Sequence, residues 1–215
     1  MPRGVRLPSK LATLSDMEPT RVERRVLEFH DRVIDAARKL FSERGVEATK
    51  IDDICEVADV AKRTLCNHFP TKTHIVHEVS RRSIADFVAR IHAARDAGHS
   101  TCERILILFN RLGEDTLAFD PMNRELVGEL FNVAHDNEIG SETEVRVSDA
   151  VRALLEAGGQ EELPANTSVE AFAEIILGSI YISMLEWIHR DDYDFVTNIK
   201  QKGEFFASSL PKNQE

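Results

Sequence analysis

The sequence predicts an all-α fold, and three observations carry that reading. Apolar residues recur at the i, i+3, i+4, i+7 spacing of a helix face along nearly the whole chain, and no stretch shows the alternation of a strand. Gly, Pro, Asn and Asp clusters cut this pattern into helix-sized lengths. Three short lengths crowd into residues 32–69 and longer ones follow, which predicts a small three-helix head ahead of a larger helical body.

In the opening helix Val33, Ile34, Ala37, Leu40 and Phe41 form the inner stripe, while Asp35, Arg38, Lys39 and Glu43 face away. Gly45 follows the last periodic residue and suits a left-handed cap. Thr49 reads as the next N-cap, with Asp52 three residues on completing a capping box. Ile51, Ile54 and Ala58 give the second helix one apolar face. Val60, Leu65 and Phe69 supply the inner side of the turn and the third helix, leaving Lys62, Arg63, Thr64, Asn67 and His68 pointing outward. Lys and Arg suit phosphates or guanine edges, and Asn pairs bidentately with adenine. Three short helices ending in such a face are the build of a helix-turn-helix reading head, whose partner is double-stranded DNA.

The rest also reads as helix. A long helix runs from Lys72 to about Ala97, with Ile75, Val79, Ile84, Phe87 and Ile91 inward, and residues 97–100 break it. The next reaches about Leu117, and Asp120-Pro121 separates it from one ending near His135. Residues 136–141 lead into a helix ending near Ala157. Gly158-Gly159 through Asn166 is the clearest loop, after which Thr167 or Ser168 caps a helix through Ile188; Asp192 to Ser209 forms the last. Between Ile175 and Trp187 the chain is apolar on all sides, which asks for burial on all sides: either as a central helix wholly within its own body, or with one face on that body and the other on a second copy, the arrangement expected here. Gly178, Ser179, Ile182, Leu185 and Phe206 are the residues expected at that contact.

The stretch from Arg32 to Val76 resembles the DNA-binding domain of the TetR family of bacterial transcriptional regulators. The resemblance rests on Ala36-Ala37, Leu40-Phe41, Gly45, Ile54, Ala58, Val60, Thr64-Leu65, His68-Phe69 and Lys72. Three positions depart from the family pattern. Asp59 stands where Gly is usual in the turn, Ala61 replaces a capping Ser or Thr at a cost of roughly 1 kcal/mol, and Cys66 replaces an aromatic residue. Residues 1–20, with Pro2, Pro8, Pro19, Arg3, Arg6 and Lys10 and no periodicity, read as a flexible basic arm; the resemblance implies a helix-turn-helix domain at 21–75 and a ligand-binding and dimerisation domain at 76–215. It implies a sequence-specific regulator, most simply a repressor released from a near-palindromic operator by a small apolar or amphipathic effector. Arg24, Arg25, Arg32, Thr49, Lys50 and Lys72 join the outward face of the third helix as expected DNA contacts. Phe109, Leu112, Met122, Leu126, Phe131, Ile176, Tyr181, Met184 and Trp187 are the expected lining of an effector pocket, with Asn110, Arg111 and Asn132 as further polar groups.

Charge distribution agrees with this division. The net charge is −10, but residues 1–75 carry 14 Lys+Arg against 12 Asp+Glu while residues 76–215 carry 13 against 25. The nucleic-acid surface therefore belongs to the N-terminal third, and the acidic body repels DNA. Cys55, Cys66 and Cys102 form no CxxC pair and are odd in number, which points to a reducing, cytoplasmic setting. The longest uncharged apolar run, Ile175 to Leu185, is eleven residues and short for a membrane crossing. No GxSxG, HExxH or Gly-rich phosphate loop occurs, so no enzyme, cofactor or metal is expected. His74, His77 and Glu78 have metal-like spacing, but ordinary surface roles account for them. Two other readings stay open: a redox-sensing regulator using Cys66 near Lys62 and Arg63, and a helical small-molecule-binding protein or enzyme that keeps a vestigial DNA-binding head.

Overall fold

The computed structural model describes residues 20–114, 124, 127, 128 and 140–211, with side chains in the last stretch described from residue 147. Its helices are α1 (Arg21–Arg44), α2 (Ile51–Ala58), α3 (Lys62–His68), α4 (Lys72–Ala97), α5 (Thr101–Glu114), α6 (Gly140–Glu156), α7 (Val169–His189) and α8 (Phe195–Ser209). A short 3₁₀ turn, Gln160–Glu162, lies between α6 and α7. The described residues contain no strand.

The head condenses around one apolar cluster. Phe29, Val33, Ile34, Ala37, Leu40 and Phe41 of α1 meet Ile54 and Ala58 of α2, Leu65 and Phe69 around α3, and Ile75, Val76 and Val79 of α4. A seven-residue helix such as α3 is marginal alone, because helix nucleation is costly. Leu65 and Phe69, both buried, hold it, each worth about 1.5–3 kcal/mol of apolar burial. The cluster reaches Val79, so core packing carries the head past residue 75 into the long helix.

Local signals act mostly as read, with two shifts. The capping box forms at the start of α1: Glu23 N–H donates to Thr20 Oγ1 (3.3 Å) and Thr20 N–H to the Glu23 carboxylate (2.8 Å). Thr49 is not the cap of α2. It is buried, and its hydroxyl donates to the Gly45 carbonyl at 2.7 Å, while Lys50 N–H donates to the Asp53 carboxylate at 3.1 Å. The signal was one residue out because a buried Thr satisfies the loop better than a helix end. Gly45 has the positive φ expected of it, but ψ is 162° with φ 82°, an extended region open essentially to Gly alone rather than a left-handed helical cap. Asp59 adopts the left-handed conformation (φ 52°, ψ 55°), and Ala61 leaves α3 without a side-chain cap.

Helix α4 belongs to both cores. Its first half lies in the head cluster; Ile91 and Ala94, with Phe87 and Val88 beside them, lie in the body cluster. At 1.5 Å per residue its 26 residues run about 39 Å. Two ion pairs tie α1 to its middle, Arg82 to Asp31 at 2.6 Å and Arg38 to Asp86 at 3.4 Å.

In the body α5 packs on α8, α4 on α5 and α6, and α7 on α6 and α8. The α5–α8 approach is close enough that a Cβ on Gly203 would stand 2.5 Å from Cβ of Phe109. Ser168 and Asp194 cap α7 and α8 by accepting from Ala171 and Thr197 N–H. Helix α7, with 21 residues, is long and apolar enough by length and composition to cross a membrane, so the eleven-residue run understated it. In this fold Phe172, Ala173, Ile176, Ile180, Ser183 and Trp187 bury one face of it in the core.

Candidate nucleic-acid interface

The geometry of the reading face follows from the two anchors of α3. With Leu65 and Phe69 turned inward, Arg63, Thr64 and Asn67 stand exposed, and Arg63 and Asn67 are one turn apart on the same outer face. Lys62 is exposed as well, on the flank facing α2, where its ammonium meets the Asp52 carboxylate at 2.7 Å. That hydrogen bond, with the attraction of the Asp52 charge, raises the Lys62 pKa. Lys50, Arg24 and Arg25 are exposed on the same head.

Four expected contacts are occupied inside the head instead. Arg32 donates to the carbonyls of Ala58 and Asp59 at 3.4 and 3.5 Å, closing the C-terminal end of α2. Lys72 donates to three carbonyls, Val46 (2.8 Å), Glu47 (3.1 Å) and Thr49 (3.2 Å). Thr49 is buried, so its hydroxyl does not face outward. His68 turns back toward α1, its Nδ1 3.1 Å from Nε2 of His30 and its ring 4.7 Å from that of Phe29. A single sequence does not reveal the partners of Arg32, Lys72 and His68, because they sit 23 to 38 residues away along the chain; that of Thr49 is only four residues back. His74, part of the metal-like spacing, pairs with the Thr71 hydroxyl at 2.8 Å.

Cys55 and Cys66 lie on neighbouring parts of the head. Burial first, then the Asp52 charge and Cys66, push the Cys55 thiol up, which keeps it protonated and poorly nucleophilic. All three cysteines are free.

In the body, the expected pocket residues divide. Phe109, Leu112, Ile176 and Trp187 are buried core, Phe109 stacking on Phe206 at 5.6 Å and Trp187 lying under the Arg124 guanidinium at 5.5 Å. Met184 is half-buried against the same cluster. Tyr181, Asn110 and Arg111 are on the outside, which removes them from an interior lining; helix phase turns them away from the core. Met122, Leu126, Phe131 and Asn132 lie outside the described residues. A cleft of about 230 Å³ is lined by Ser100, Cys102, Glu162, Ala207, Ser208, Leu210 and Pro211, and shares none of the expected residues.

The face of α7 opposite the core carries Ile175, Gly178 and Ile182, with Tyr181 beside them. Ile175 is 55% and Ile182 48% exposed, and a Cβ on Gly178 would meet nothing within 4 Å among the described residues beyond its own helical turn. Ser179 and Leu185 are half-buried at its edges. Phe206, expected at this contact, is core between Phe109 and Phe172; its neighbour Phe205 is the exposed ring, at 68%. In a Phe-Phe doublet one residue of helix rotation decides which ring is inside.

Residues 33–79 match the model of the bacterial regulatory proteins of the tetR family. Over 184 residues the chain is 24% identical to the HTH-type transcriptional repressor KstR of Mycolicibacterium smegmatis, covering 85% of this chain and 86% of that one. Its fold is similar to a TetR-family transcriptional regulator from Pectobacterium atrosepticum (TM-score 0.68, 20% identity, 91% of this chain and all of that one). It is also similar to Thermus thermophilus FadR, a TetR-family repressor solved with lauroyl-CoA (TM-score 0.60, 19% identity, 86% and 97%). With their reading helix held on a three-helix head and that head carried by a helical body, residues 33–79 are a helix-turn-helix domain of the kind found in the bacterial regulatory proteins of the tetR family.

Proposed function

We propose that this chain is a homodimeric cytoplasmic repressor that leaves its operator when an apolar or amphipathic effector binds the body. The observation that carries the reading is the continuity of α4. One helix is packed into the head core at Val76 and Val79 and into the body core at Ile91 and Ala94, and ion pairs couple it to α1. A shift of the body therefore re-aims the head. An effector achieves this only if it binds the two arrangements unequally.

In this reading Arg63, Thr64 and Asn67 read base edges, and Lys62, Lys50, Arg24 and Arg25 hold phosphates. Lys62 exchanges Asp52 for a phosphate on binding. The exposed stripe Ile175, Gly178, Ile182 and Phe205 packs on the same stripe of a second copy, which brings two reading helices to a near-palindromic site.

Acyl-CoA thioesters are the effector class to test first, since the Thermus thermophilus relative was solved with lauroyl-CoA. The test selects duplexes from a random pool with purified protein and then measures anisotropy of the selected duplex with added lauroyl-CoA or stearoyl-CoA. Enrichment of a two-fold-related sequence, released by either thioester, supports the proposal. Recovery of no common sequence would remove the repressor reading, and release by neither thioester would remove this effector class.

A further inference from the structure

We infer that His30 is a positioning residue for the reading helix, and that its imidazole bridge to His68 makes operator preference depend on protonation. The inference rests on the assignment of α3 as the base-reading element.

The bridge joins two helices that are otherwise held by apolar contacts. His30 lies on α1 and His68 is the last residue of α3. Their rings meet edge to face at 5.1 Å, with Nε2 of His30 3.1 Å from Nδ1 of His68. Phe29 packs on the His68 ring at 4.7 Å and Phe69 on the His30 ring at 4.8 Å, so each imidazole is clamped by an aromatic neighbour. His68 is one residue from Asn67, so its position sets where the last turn of α3 lies relative to the groove.

A hydrogen bond between two imidazoles needs one nitrogen to donate and the other to accept. Neutral–neutral and neutral–cation pairs satisfy that; two imidazoliums do not, since both nitrogens then carry hydrogens and the charges repel. The groups facing His30 are His68 on α3, Asp31 beside it on α1, and Glu78 and Arg82 on α4. Arg82 is itself paired with Asp31 at 2.6 Å and Glu78 at 3.9 Å. Burial first, then the charge of His68, hold the His30 imidazole below its ordinary value, against the opposing pull of Glu78 and Asp31. The folded head therefore keeps His30 neutral where an unfolded chain takes the proton. The contribution is full above the ordinary histidine value of about 6.5 and is lost as pH falls below it. A single proton leaves the bridge intact; it opens when both rings are protonated at still lower pH, and the end of α3 is then released from α1.

The readout is the ratio of affinities for the selected duplex and for a scrambled one, which cancels the general gain of positive charge in acid. In wild type the ratio should fall at least about threefold between roughly pH 8 and pH 5, as the second ring takes up its proton. His30→Gln retains hydrogen-bonding capacity but does not titrate, so it should keep the ratio at the higher pH and abolish the fall. His30→Ala should lower the ratio at both values. A wild-type ratio that does not change, or a fall in His30→Gln equal to wild type, overturns the inference.

Nitrogen-15 NMR of the wild-type imidazoles needs neither a variant nor DNA. Coupled titration of the two rings, with one protonating below the ordinary histidine range, supports the bridge, and two independent ordinary titrations overturn it. If instead α3 were not the reading element, Arg63→Ala would leave the ratio untouched while the coupled titration persisted.

Discussion

The ammonium of Lys72 lies 2.8 Å from the carbonyl oxygen of Val46. With Glu47 and Thr49 completing its shell, this one side chain at the first position of α4 closes the loop between α1 and α2. Lys72→Met keeps the aliphatic stem and removes the three donated bonds. Bonds to a charged donor contribute about 1.5–3 kcal/mol each at most and are not additive. A loss of about 2 kcal/mol in head stability by thermal or urea denaturation is the expected result. The slope of log affinity against log salt should stay at the wild-type value; a drop of about one unit would show a phosphate contact instead.

Arg63 and Asn67 share the outer face of α3, so each should read one position in a half-site. Arg63→Ala or Asn67→Ala should cost about 1–3 kcal/mol and relax preference at that position. Anisotropy against the selected duplex and its single-base variants measures this, and unchanged preference in both variants would reject the face.

Gly178 offers a clean test of the dimer, because among the described residues nothing outside its own helical turn stands within 4 Å of an added Cβ. Gly178→Arg should leave the subunit folded, even stabilising the helix by up to about 1 kcal/mol, while a bulky charge breaks the two-fold contact. Light scattering should give a dimer for wild type and a monomer for the variant. A dimeric Gly178→Arg would place the interface elsewhere.

The two phenylalanines of the doublet should separate stability from assembly. Phe206→Ala removes a buried ring between Phe109 and Phe172 and should cost about 3–5 kcal/mol of stability. Phe205→Asp should change unfolding little and weaken self-association. Reversal of the two phenotypes would mean that α8 packs in a different phase.

Much of this architecture was legible in the sequence. Helical periodicity marked Lys72–Ala97 and the helix ending at His189 to within a residue or two, while the last helix begins at Phe195 instead of Asp192 and α1 reaches back to Arg21, ahead of residues 32–69, where the sequence places the head; amphipathic burial is a local pattern repeated every turn. The anchors Leu65 and Phe69 announced the outer face of α3 by exclusion, and the charge contrast between residues 1–75 and the remainder pointed to where DNA belongs. Tertiary structure decided what each polar group does. Arg32, Thr49, Lys72 and His68 are the residue types that bind DNA, yet each bonds within the head. Those partners come from turns and helices brought together only by folding, and a buried carbonyl competes for a donor as effectively as a phosphate does. Which of Phe205 and Phe206 is core was likewise decided by the rotation of α8 against α5, where Gly203 admits Phe109. Periodicity is written in the chain one turn at a time; the pairing of polar groups across helices is set by three-dimensional proximity.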